Sequence, residues 1–167
     1  MAVNTVSTLT SDNWQQIATA SLTGVNKYNF TGLSGYKKYM LVWSGTTTAS
    51  STNNLLYINA TTTTTAAYVC SLMGTSSSQS AGYQDLFYLS FGATTTSGGT
   101  GYIIIDNANS TVIPKAITGV STDNFTSYSW NINGAFLSAS AISNLDFTNG
   151  NNYNYTAGTV TLYGIAA

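Results

Sequence analysis

The chain has 167 residues, enough for one domain that buries roughly 70% of the surface its unfolded form exposes. Hydrophobic residues make up 43% of it and charged residues 5%, against about 25% in an average soluble protein; the charges are five Asp and four Lys, with no Glu, Arg or His. This hydrophobicity excludes a disordered chain, and four scattered lysines at net charge −1 exclude a phosphate-neutralising role on nucleic acid or an anionic membrane.

Glu, Arg and abundant Lys, all strong helix formers, are missing, whereas Thr, Tyr, Val and Ile favour strands, so the composition predicts an all-β protein. At the start, Met1-Ala2-Val3-Asn4-Thr5 has neither a basic segment nor an apolar run, and no cleaved signal peptide is expected. Residues up to about 13 read as a short lead-in, and residues 1–167 as a single domain. Ser11 to Ala18, with Ser11 or Asp12 as a cap and Trp14 and Ile17 three apart, is the one stretch suited to a turn of helix.

Strands are predicted near 17–22, 27–31, 38–44, 54–59, 66–73, 84–91, 101–106, 112–118, 128–133, 135–142 and 158–165. The longest apolar run, Tyr39-Met40-Leu41-Val42-Trp43, suits a buried strand and falls far short of the ~20 residues a membrane helix needs. Between the strands, Gly45–Asn53, Gly74–Gly82 and Gly92–Thr100 are Ser/Thr/Gly tracts that read first as solvated connections and second as contact surfaces. Cys70 is the single cysteine, so no intrachain disulfide forms; alternating with Tyr68 and Leu72, it reads as a small buried hydrophobe. Asp106-Asn107-Ala108-Asn109-Ser110 lacks the glycine and glutamate of a calcium loop and reads as an Asx turn.

Alternation is clearest in Tyr128-Ser129-Trp130-Asn131-Ile132-Asn133, where Tyr128, Trp130 and Ile132 share one face. Asn133-Gly134 then signals a two-residue hairpin into Ala135-Phe136-Leu137. Near the C-terminus, Val160 and Leu162 oppose Thr159, Thr161 and Tyr163. Roughly eight to eleven short strands with turns between them predict an antiparallel β-sandwich, jelly-roll-like in its connections. Trp14, Trp43 and Trp130 are spaced as core anchors, and with Leu162 and Tyr163 they are the expected structural determinants; a sugar-stacking platform would need one Trp on the surface. Lys37-Lys38 reads as a turn with solvated lysines.

Two stretches carry a resemblance. Trp14-Gln15-Gln16-Ile17 leads to Tyr28-Asn29-Phe30-Thr31-Gly32-Leu33-Ser34-Gly35-Tyr36-Lys37-Lys38-Tyr39, and Gly158-Thr159-Val160-Thr161-Leu162-Tyr163-Gly164-Ile165 closes the chain after Ile142, Leu145 and Phe147. Together they resemble a group of β-sandwich domains in phage tail and virion proteins, over the two ends of the chain and, in the middle, by general pattern. The resemblance implies a structural component on the particle surface, made in the host cytoplasm without a signal and located in the virion.

No catalytic, cofactor or metal residues are expected. Acid–base chemistry would rest on Asp12, Asp85, Asp106, Asp123 and Asp146 alone, none of them in a specifying motif; a glycan hydrolase would require two of them to converge. With one proline, Pro114, and four lysines (Lys27, Lys37, Lys38 and Lys115), the strands have little to blunt their edges, which points to an assembly. The expected partners are other virion proteins and further copies of the chain, with a trimer favoured, and no nucleic acid or membrane insertion. The alternative function is a receptor- or glycan-binding module for host attachment, with a host surface glycan as partner.

Overall fold

The structure, a computed structural model, describes residues 13–50, 52–60, 68–74, 78–84, 87–93, 98–123 and 128–167; for Cys70, for most of 72–93, and for Asp123 and Tyr128 the description stops at the backbone. The described residues form β1 (Gln15–Ser21), β2 (Lys27–Phe30), β3 (Tyr36–Thr48), β4 (Thr52–Ile58), β5 (Tyr68–Gly74), β6 (Ser78–Gln84), β7 (Phe87–Ala93), β8 (Gly99–Ile105), β9 (Lys115–Asp123), β10 (Tyr128–Phe136), β11 (Leu145–Asn149) and β12 (Tyr155–Ala166). The fold is an all-β antiparallel sandwich: an eight-stranded sheet in the order β1-β12-β3-β8-β9-β10-β5-β6 faces a four-stranded sheet in the order β2-β11-β4-β7. From β1 to β4 successive strands alternate between the sheets, as do β7, β8, β11 and β12; the hairpins β5-β6 and β9-β10 extend the larger sheet.

Period-two alternation puts one face of each sheet into the core. From the larger sheet come Tyr39, Leu41 and Trp43 of β3, Ile103 and Ile105 of β8, Trp130, Ile132 and Phe136 of β10, and Val160 and Leu162 of β12; Phe30, Leu56, Ile58, Leu145 and Phe147 answer from the smaller sheet. The Trp43 and Phe147 rings meet at 6.0 Å between centroids, and Tyr68 and Phe136 at 5.1 Å. Trp43 needs a gap in the neighbouring strand, and Gly101 supplies it: a Cβ there would lie 2.5 Å from Trp43 Cζ2. Gly32 and Gly35, at φ of +68° and +76°, turn the chain between β2 and β3.

Several expected boundaries move. Gln15 to Ser21 is extended and paired with β12, so the helical turn over Ser11–Ala18 is not formed where it is described; residues 11 and 12 lie outside the described residues. Trp14 is 36% exposed, not a core anchor, and Tyr163 lies on the half-exposed outer side of β12. Asn133-Gly134 is not a hairpin: β10 runs straight through it to Phe136, with Gly134 paired to Ile117 on one side and Cys70 on the other. Leu137 to Asn144 is then a connection, and the predicted strand at 112–118 begins at Lys115, after an exposed Val112 and Ile113. β6 and β11 were not foreseen as strands, and Gly158 sits inside β12 rather than opening it. Cys70 lies in β5, and the reading of its side chain falls outside what is described.

Candidate functional site

Among the described residues, the outer face of the larger sheet and a polar cavity on the smaller one are open to contact with other molecules. The register places Thr19, Thr161, Val42, Tyr102, Val120 and Asn131 in one outward row, and Tyr163, Met40, Ile104, Thr118 and Asn133 in the next. The centre of the face is therefore apolar, with Tyr102 40% and Val120 39% exposed, and its flanks are Thr and Asn. The Thr19 and Thr161 hydroxyls bond across the strands at 2.9 Å, and those of Thr47 and Thr156 at 2.7 Å. A depression of about 270 Å³ between Val42, Tyr102, Val120 and Thr122 marks the middle. Neither row carries a charge; at one end Lys38 Nζ meets Asp106 Oδ1 at 2.8 Å, which leaves that end neutral. Lys37 and Lys38 thus belong to β3 and not to a solvated turn.

On the smaller sheet, β11 reads Leu145-Asp146-Phe147-Thr148-Asn149 and is buried at every position. It sits between β2 and β4, and the register sets Asp146 between Asn29 and Tyr57. The Asp146 carboxylate is almost fully enclosed, its Oδ2 lies 3.4 Å from Lys27 Nζ, and its Oδ1 has no hydrogen-bond partner. Beside it lies a cavity of about 350 Å³ lined by Asn26, Lys27, Tyr57, Asp146, Thr148 and Asn149, among others. The cavity rim is fixed by Asn149. Its Oδ1 accepts from the Asn151 and Tyr153 N–H groups at 3.2 and 3.0 Å, and its Nδ2 donates to the Tyr153 carbonyl at 2.6 Å. Thr148 Oγ1 donates to the Asn26 carbonyl at 3.0 Å, tying the same loop to the start of β2.

Several other buried polar groups hold the fold together. Tyr155 OH donates to Asn54 Oδ1 at 3.0 Å, Asn54 Nδ2 donates to Thr46 Oγ1 at 2.9 Å, and Thr46 Oγ1 donates to the Gly99 carbonyl at 3.0 Å. Asn59, left-handed at φ +55°, accepts at Oδ1 from the Ser143 N–H at 2.7 Å and holds the 141–144 connection against β4. Lys115, expected among the edge-blunting lysines, is completely buried; Nζ donates to the carbonyls of Ser110, Ile113 and Ser138 at 2.7, 3.3 and 3.3 Å. Burial without a carboxylate partner lowers its pKa. The 106–110 segment is a turn closed by a backbone bond, the Ser110 N–H donating to the Asn107 carbonyl at 3.0 Å.

Of the five aspartates, Asp106 and Asp146 are each engaged by a different lysine, one after β8 and one in β11. Asp12 and Asp85 lie outside the described residues, as does the side chain of Asp123. Among the described residues no three of His, Cys, Asp or Glu gather into a metal-ligating group. The expected Ser/Thr/Gly connections are shorter than the sequence implied: Gly45–Thr48 belongs to β3, Thr52–Asn53 to β4, and Ser78–Gly82 to β6. Residues 94–97, within the third tract, lie outside the described residues. Asp146 was one of five undistinguished aspartates in the sequence; a five-residue strand with polar residues at alternate positions offers no signal that it will be enclosed. No protein-family model, curated protein or solved structure matches the chain.

Proposed function

We propose that the chain is a non-enzymatic structural protein of a bacteriophage particle, exposed on its surface as a capsid decoration, fibre or tail component. It acts by packing against other virion subunits and against copies of itself, with a trimer as the first expectation. The observation that carries this reading is the pair of charge-free outward rows of the eight-stranded sheet among the described residues, with Val42, Tyr102 and Val120 at their centre. Solvated antiparallel sheets ordinarily alternate apolar-in and polar-out, and exposed apolar patches rimmed by polar residues mark contact surfaces. The edge supports the same reading: β1 carries no Lys, Pro or inward charge to stop another strand from adding.

The connections add support. Strands β1-β12-β3-β8 facing β2-β11-β4-β7, with the chain crossing between sheets, follow a jelly-roll order, which viral capsid and lectin domains share. Fold alone does not assign a role. A second reading, a glycan-binding module for host attachment, is favoured by the polar cavity beside Asp146.

The test pairs sedimentation of the purified chain with immunogold microscopy of the phage particle. The wild-type protein is expected to sediment as an oligomer and Val120→Lys as a folded monomer, with label on the particle surface. A wild-type monomer, or antibody that recognises the free chain and finds no particle, overturns the proposal.

A further inference from the structure

We infer that the cavity beside Asp146 is a binding site for a neutral saccharide, one sugar ring deep; this deepens the glycan-binding reading and rests on it. An ionised carboxylate offers about four lone-pair sites, and charge-assisted bonds ordinarily close to about 2.7–2.9 Å. Asp146 makes one contact, at 3.4 Å to Lys27, and its Oδ1 makes none. Oδ1 is closed to solvent, so an incoming hydroxyl meets the carboxylate on the side of the long Lys27 contact and has to displace it.

The charge balance selects the ligand class. One carboxylate beside one ammonium gives a site of zero net charge, which suits neither a metal ion nor an anion. A sugar hydroxyl both donates and accepts, so adjacent hydroxyls can donate to Asp146 and accept from Lys27 Nζ, whose side chain is 50% exposed and free to follow. Tyr57, opposite Asp146 in the register, adds an aromatic ring to the lining. The volume of about 350 Å³ falls at the small end of ligand pockets, which run from roughly 300 to 1,000 Å³. The rim is already in place, because Asn149 and Thr148 lock the loop that forms it.

The experiment uses the full chain and the methyl glycosides of glucose, galactose, mannose and N-acetylglucosamine, followed by saturation-transfer NMR and titration. At least one is expected to bind saturably. Asp146→Asn, nearly isosteric, is expected to weaken it about tenfold, and Lys27→Gln, which keeps a donor beside the enclosed carboxylate, several-fold. The proposal is overturned if no glycoside saturates, if both variants bind like the wild type, or if calcium alone raises the melting temperature in an Asp146-dependent way. Val120→Lys is run beside them: unchanged sugar binding in that variant separates this site from the assembly face, so either reading can fail alone.

Discussion

Replacing Lys115 by Met removes a buried charge while keeping a long unbranched stem in the same space. Three carbonyls, of Ser110, Ile113 and Ser138, lose their shared donor at 2.7, 3.3 and 3.3 Å. Hydrogen bonds to a charged group contribute about 1.5–3 kcal/mol each, and orphaned acceptors cost about 1–3. Against this stands the desolvation of an ammonium with no carboxylate nearby, several kcal/mol that the variant recovers. The one short bond and two long ones leave a net loss of about 3 kcal/mol. For a domain of this length that lowers Tm by about 6–12 °C, measurable by calorimetry or by urea unfolding at constant m. The difference also depends on pH. The Lys115 pKa in the folded chain lies below its ordinary 10.5, so stability tied to its titration is present above 10.5 and lost as pH falls through the folded value. The gap between wild type and Lys115→Met therefore widens as pH is raised from 7 toward 10.5. A variant as stable as the wild type or more so, with a gap independent of pH, would refute the reasoning: the ammonium would then be a net liability and the three bonds immaterial.

Two further outcomes follow from the core. Gly101→Ala places a methyl 2.5 Å from both Trp43 Cζ2 and the Val120 carbonyl, and is expected to destabilise by about 1–3 kcal/mol with a changed tryptophan emission, whereas Gly150→Ala, whose added carbon meets nothing closer than 3.6 Å, stays within about 0.5 kcal/mol; equal effects would sink the packing argument. Burial pushes the Tyr39 phenol up to about 12, with Tyr36 adding to it, and raises Tyr68 and Tyr155 further. Their stabilisation is complete below pH 10 and is lost as pH rises from 10 through the folded values, by about 1.4 kcal/mol per pH unit for each phenol; urea midpoints that stay level between pH 9 and 11.5 would contradict this.

The fold was legible where one face of a strand is oily and the other wet. Trp130 and Ile132 are buried while Ser129, Asn131 and Asn133 are exposed, as the alternation requires, and Val160 and Leu162 oppose Thr159 and Thr161 likewise. Legibility failed where local chemistry competes with pairing on both sides. Asn133-Gly134 has turn character, but β9 and β5 both hydrogen-bond β10 there, and two ladders outweigh one turn preference. β6 reads Ser-Gln-Ser-Ala-Gly-Tyr-Gln at the sheet edge, with too little hydrophobicity to announce a strand. Val112-Ile113 misled in the opposite direction: apolar, yet 82% and 48% exposed. The outer face could be anticipated only as a shortage of charge, since its apolar centre brings Val42 of β3 beside Tyr102 and Val120 of β8 and β9, sixty or more residues on. The Asp146 cavity has no sequence signature at all, because Lys27 and Asp146 are 119 residues apart.

Strand order also constrains when the molecule can form. β12 lies between β1 and β3, and β11 between β2 and β4, so the strands made last are interior to both sheets. A growing chain that has not yet released Leu145–Asn149 and Tyr155–Ala166 has no partner for β1, and β2 and β4 cannot be bridged. Closure of both sheets must then wait until Ala166 has been released, and the long separations involved make it slow. During that interval the open edges of β1, β2, β3 and β4 are available to other nascent chains. The yield of folded protein is therefore expected to respond to translation speed and chaperone supply as well as to the stability of the finished sandwich.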